Sequence, residues 1–221
     1  MSGVSTQKLE HFPSISKLER LLKSLATLDA ILCPEWDYRF YSFNSEWAKN
    51  EQMGSMRNGC GDEFYVLFNS AGCFIKGFAH ESAMSSWGTE NQIPWNGLLS
   101  GLPTEFVEAS KEPAFSMDNI SFCVWRRHTD DAWLLGDIEF DDDEDPDGSE
   151  YLLEIFDCSP STYKEFAADY HELDVDILLI SKIYNHEKLD VDLIKSINPN
   201  ANLDELLTEL KEIGYPVDDA I

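Results

Sequence analysis

Leu18, Leu21, Leu22, Leu25, Leu28 and Leu32 recur at three- and four-residue spacing, one apolar stripe that predicts an amphipathic helix over 16–33. Ser16 followed by Glu19 matches a capping box at its start, and Cys33 followed by Pro34 ends it. Over 37–140 the pattern turns to strands. Residues 38–43 are aromatic and extended, and 63–69 with 73–78 flank Ser70-Ala71-Gly72 as a β-hairpin. A second hairpin is expected from 120–127 and 132–140 across His128-Thr129-Asp130-Asp131. Between them, residues 81–112 hold Ser, Gly, Asn and Pro, with short helical stretches at 95–99 and 105–109. That long connection is of the kind that is functional or mobile.

After Asp147 the helical period returns over 150–214. A short helix is expected at 150–156, and Ser159-Pro160 supplies a cap and a first-position proline for 162–171. The tetrapeptide Leu-Asp-Val-Asp occurs at 173–176 and 189–192 and reads as reused capping rather than as a repeat. Asn202 and Glu205 resemble a capping box before Leu203, Leu206, Leu207, Leu210 and Ile213, and Gly214-Tyr215-Pro216 stops that helix. A helix, then about five strands, then a run of helices predicts the α+β class: one domain over 1–221, with an antiparallel sheet and the C-terminal helical run on or beside it.

Composition changes the picture through charge. Hydrophobic residues make up 43% of the 221, enough for a core without disulfide or metal staples, but 42 Asp and Glu face only 16 Lys and Arg, a formal net charge of -26. Such a field disfavours nucleic acid and anionic membranes as partners and attracts basic proteins. The excess is uneven: 137–174 contains 15 acidic residues and one basic residue, Lys164. Its most acidic part, Asp141, Asp142, Asp143, Glu144, Asp145 and Asp147, is the expected partner-binding face. The five Cys show no paired or zinc-like spacing, and the first residues carry no apolar run of signal-peptide length, so a reducing cytoplasm is the expected compartment.

Candidate chemistry is sparse. Asp143, Asp145, Asp147, Gly148 and Glu154 fall on the spacing of an EF-hand loop, which supplies closely spaced oxygens to Ca²⁺. A strand before the loop, Pro146 inside it and Glu150 at its apolar position favour a solvated acidic turn instead. His80, Glu81 and Ser82 are triad types, but adjacent residues point apart and no nucleophile elbow accompanies them. The segment from Trp47 to Asp62, with Gly59-Cys60-Gly61, lacks the Lys-Ser/Thr of a P-loop and reads as a tight turn. Its Arg57 and Asn58, with His80, Glu81 and Trp87, form the expected ligand site if there is one. Arg126, Arg127 and His128 are expected to meet the chain's own carboxylates. No cofactor is expected.

Tyr41-Ser42-Phe43-Asn44, Trp47, Ser55-Met56-Arg57-Asn58-Gly59, Gly61-Asp62 and Lys76-Gly77-Phe78-Ala79-His80-Glu81-Ser82 together resemble a group of uncharacterised bacterial proteins. The resemblance continues through Gly136-Asp137-Ile138-Glu139 and Asp145-Pro146-Asp147-Gly148-Ser149 to Ile213-Gly214-Tyr215-Pro216, and it implies no assigned activity. The sequence shows no convincing match to the Smi1/Knr4-like immunity superfamily, which the expected α+β layout does not exclude. The expected function is a non-enzymatic acidic binding protein of the bacterial cytosol, of immunity type, engaging a basic protein. The alternative is an enzyme or small-ligand protein with its site near Arg57 and His80.

Overall fold

The computed structural model describes residues 3–88 and 93–218. Helix α1 (Ile15–Leu32) is capped by Ser14, whose hydroxyl accepts from the Lys17 N–H at 3.3 Å, so the cap lies two residues before the expected Ser16. Strands β1 (Tyr41–Ala48), β2 (Glu51–Arg57), β3 (Glu63–Phe68), β4 (Gly72–Phe78), β5 (Phe122–Arg127) and β6 (Leu134–Leu135) form an antiparallel sheet in sequence order. The sixth strand arises because 51–57, expected as a turn, pairs with both β1 and β3. The short β6 reflects the reverse case: 136–140 leaves the sheet, and at Gly136 a Cβ would stand 2.0 Å from the Gly97 carbonyl oxygen.

Strand alternation sorts the sheet into two apolar faces. Tyr41, Phe43, Met56, Phe64, Val66, Ile75, Phe122 and Val124 face the helices. Gly54 lets α1 come close, since a Cβ there would lie 2.9 Å from Leu22 Cδ1. The other helices are α2 (Ser149–Leu152), α3 (Pro160–Tyr170), α4 (Ile177–Tyr184), α5 (Val191–Ile197) and α6 (Leu203–Ile213). Of these, α6 packs on α1 and β1, and α4 bridges α1 and α3. The two Leu-Asp-Val-Asp copies are used out of step: Asp176, the fourth residue, caps α4, while Asp190, the second, caps α5. That register difference confirms reused capping. Asn202 precedes α6 without a side-chain cap bond, and Ser159 does the same at α3.

Met53, Tyr65, Leu67, Phe74, Cys123 and Trp125 form the opposite face. The connection after β4 covers it, its residues 89–92 lying outside the described ones. Short 3-10 turns at Thr104–Phe106, Ala109–Lys111 and Pro113–Phe115 deliver Phe106 and Phe115 onto Phe74 and Tyr65, with ring centroids 5.3–6.4 Å apart. Burying a Phe side chain contributes about 1.5–3 kcal/mol. Much of the expected long connection is therefore a packed lid on the sheet.

Helix α1 also carries a buried polar node. Asp29 is fully buried, and its Oδ2 accepts from the Phe40 and Tyr41 N–H groups at 2.9 and 2.8 Å. Its Oδ1 accepts from the Tyr163 hydroxyl at 2.7 Å and lies 3.4 Å from His171 Nε2. One carboxylate thus joins α1, the start of β1 and α3.

Candidate functional site

The turn between β2 and β3 is built by Asn58 and Asp62. Asn58 Oδ1 accepts from the Cys60 and Asp62 N–H groups, and its Nδ2 donates to Asp62 Oδ2 at 2.7 Å. Asp62 Oδ1 then accepts from the His80 N–H at 3.0 Å and from His80 Nδ1 at 2.7 Å. The other ring nitrogen, Nε2, lies 3.9 Å from the exposed Glu81 carboxylate, with the Trp87 ring 6.0 Å away. The Trp87 indole donates to Asn119 Oδ1. An oriented His–Asp pair can shuttle a proton, but Ser82, the neighbouring hydroxyl, donates to the Ala79 carbonyl and is turned away from it.

Arg57 is not part of that cluster. Its guanidinium lies over the Trp36 ring at 5.8 Å, at the mouth of a cleft of about 360 Å³ over β1, β2 and β3. The cleft is lined by Trp36, Ser42, Asn44, Trp47, Ser55 and Tyr65 among others, with the Ser42 and Ser55 hydroxyls 2.7 Å apart. Beside it, Lys76 is fully buried and paired with Glu63 Oε1 at 2.6 Å. Burial pushes the Lys76 pKa down, and burial followed by the Glu63 charge pushes Tyr65 up to about 12. So Asn58, His80, Glu81 and Trp87 share one neighbourhood, while Arg57 turns to another.

The acidic face divides the same way. Asp141, Asp142, Asp143 and Glu144 are exposed. Asp145 instead accepts from the Glu150 and Tyr151 N–H groups at the start of α2. Asp147 is buried, accepting from the Thr6 hydroxyl and the Ser149 N–H, and burial raises its pKa. It supports the fold and is withdrawn from any partner. For the same reason Asp143, Asp145, Asp147 and Glu154 do not converge, and no group of three metal-ligating side chains occurs among the described residues. Arg127 meets Asp130 as expected, at 2.9 Å, and Arg126 donates to the Asp130 and Asp131 carbonyls.

A second groove, of about 330 Å³, runs between α3, the start of β1 and the segment after α2. Phe40, Tyr41 and Phe166 form its floor, with Phe40 and Phe166 centroids 4.8 Å apart. Tyr151, Glu154, Glu165 and Asp169 stand around it, all exposed. Burial, then the Asp29 charge, pushes the Tyr41 pKa well up. None of these groove residues except Glu154 figures among the sequence-derived candidates. The legible signal was the three- and four-residue spacing of Thr162, Glu165, Phe166 and Asp169 on one face of α3.

Fold and clefts together define an acidic α+β protein with an aromatic, carboxylate-rimmed groove and without an assembled triad or metal cluster among the described residues. No helix among them is long and apolar enough to cross a membrane. Comparison with protein-family models, curated proteins and solved structures finds no significant match to this chain.

Proposed function

We propose that this chain is a non-enzymatic binding protein that engages a basic protein partner through the acidic surface contributed by 137–174. An immunity-type protein that blocks a cationic toxin is its most concrete form. The supporting observation is how little of that charge is neutralised within the molecule. Of the fifteen acidic residues in 137–174, Glu150 pairs with Lys8 and Asp174 with Lys164, and no other forms an ion pair among the described residues. Uncompensated surface charge of one sign steers an oppositely charged protein and speeds its docking. Immobilised protein exposed to a native bacterial lysate should retain basic proteins at low salt and release them at high salt. Failure to retain anything basic, or retention indifferent to salt, would falsify the reading.

A further inference from the structure

We infer that the groove between α3 and the start of β1 receives a single arginine side chain of the partner, an inference that rests on the basic-partner reading above. The groove has both halves of a guanidinium receptor. It is lined by the rings of Phe40, Phe166 and Tyr151, of which Tyr151 is exposed, and by the carboxylates of Glu154, Glu165 and Asp169. Its lining contains no Lys, Arg or His. Elsewhere the protein brings its own cations to its rings: Lys23 to Phe43, Arg39 and Arg57 to Trp36, and Lys76 to Tyr65 and Phe78. Here it does not.

The electrostatics point the same way. Glu165 and Asp169 lie one helical turn apart on one face of α3, where like charges repel and weaken the helix. None of Glu154, Glu165 and Asp169 forms an ion pair among the described residues, so nothing internal relieves that repulsion. A guanidinium relieves it, because its planar fork pairs with carboxylates while its face stacks on aromatic rings. The volume fits a side chain rather than a domain, at the lower end of the roughly 300–1,000 Å³ spanned by ligand pockets. The groove floor is also preformed: Asp29 holds the Phe40 and Tyr41 backbone from behind. The exposed segment 141–144 then contributes steering, and the groove contributes the anchor.

The test is an NMR titration of the full chain with the peptide acetyl-Gly-Gly-Arg-Gly-Gly-amide, using the Gln analogue as control. Saturable shifts confined to 40–41, 151–155 and 162–169, absent with the Gln peptide, are expected. Replacing Tyr151→Ala should weaken binding about 2- to 5-fold. The double change Glu165→Gln and Asp169→Asn should weaken it about 3- to 10-fold. Neutralising the loop instead (Asp141→Asn, Asp142→Asn, Asp143→Asn, Glu144→Gln) should leave it within about 2-fold, since that loop's charge acts at long range and is screened by salt. Unsaturable shifts spread over the acidic surface, or equal losses from loop and groove variants, overturn the anchor. The basic proteins retained from lysate separate the two claims. If the groove variant holds them as well as the parent chain does, the anchor falls and the basic-partner reading stands. If the parent chain holds none, that reading falls, whatever the peptide does.

Discussion

Replacing Asp29→Ala removes one side chain but strands donors from two other elements. The buried Tyr41 N–H and Tyr163 hydroxyl and the part-buried Phe40 N–H all lose their acceptor, Asp29 itself being fully buried. A hydrogen bond to a charged group contributes about 1.5–3 kcal/mol, and each buried donor left unpaired costs about 1–3 kcal/mol. The losses overlap, so about 4–6 kcal/mol is expected, a large part of the roughly 5–15 kcal/mol that holds a domain folded. Tyr163→Phe alone removes one of those bonds and should cost about 1–2 kcal/mol. In the Asp29→Ala background it should cost at least about 1 kcal/mol less, because its partner is already gone. Urea unfolding followed by fluorescence reads both numbers, with an unchanged m-value confirming that the unfolded state is the same. A loss below about 1 kcal/mol for Asp29→Ala would refute the reasoning, since burial without dependence means the node is dispensable. The variant should also blunt arginine-peptide binding, because the same two amides fix the groove floor.

Gly77→Ala should destabilise by about 1–3 kcal/mol or more, because its Cβ would sit 1.9 Å from Phe122 Cζ. Adding Phe122→Leu should recover part of that loss in thermal unfolding, and no recovery would mean the clash is not the cause. Burial lowers the His186 pKa from its ordinary 6.5, so the folded state binds that proton less readily than the unfolded chain. Its contribution to stability is intact above about pH 6.5 and is lost as pH falls through the window below it. His186→Asn, which tolerates the positive φ of 57° at this position, should therefore lose less stability than the parent chain between pH 7 and 5; parallel curves would count against the assignment. Titration with Ca²⁺ should give neither heat nor a thermal shift, because Asp147 faces Thr6 and Asp145 faces backbone amides.

The helices were legible because each advertises itself locally, through the leucine stripe of α1, the reused Asp caps and the Gly214 stop. The hairpin of β3 and β4 was equally plain, being apolar on both faces around a Gly turn. Strand β2 was not. Its Met53, Gly54 and Ser55 carry weak strand propensity, and it forms because neighbours on both sides pair with it and Gly54 admits α1. The covering role of the connection was hidden for a related reason: Phe106 and Phe115 sit among Pro, Ser and Glu, and only the sheet face reveals what they bury against. Around the turn, Asn58, His80, Glu81 and Trp87 lie in one neighbourhood, whereas Arg57 lies apart from it and Asp147 is buried. Alternation sends Arg57 to one sheet face, and burial turns Asp147 from ligand into scaffold.

The sheet's strict sequence order has a consequence for how the chain acquires its structure. Strands β1 to β4 need only contacts between neighbours in 41–78, so they can assemble early and quickly. One apolar face meets α1, which precedes the strands in the chain, and is completed only by helices that finish near 213, while the other waits for the rings at 106 and 115. During synthesis the nascent protein therefore presents one bare sheet face from the completion of β4 until Phe106 and Phe115 arrive. Truncation before residue 115 should leave a sticky fragment, and chaperone demand should peak in that interval.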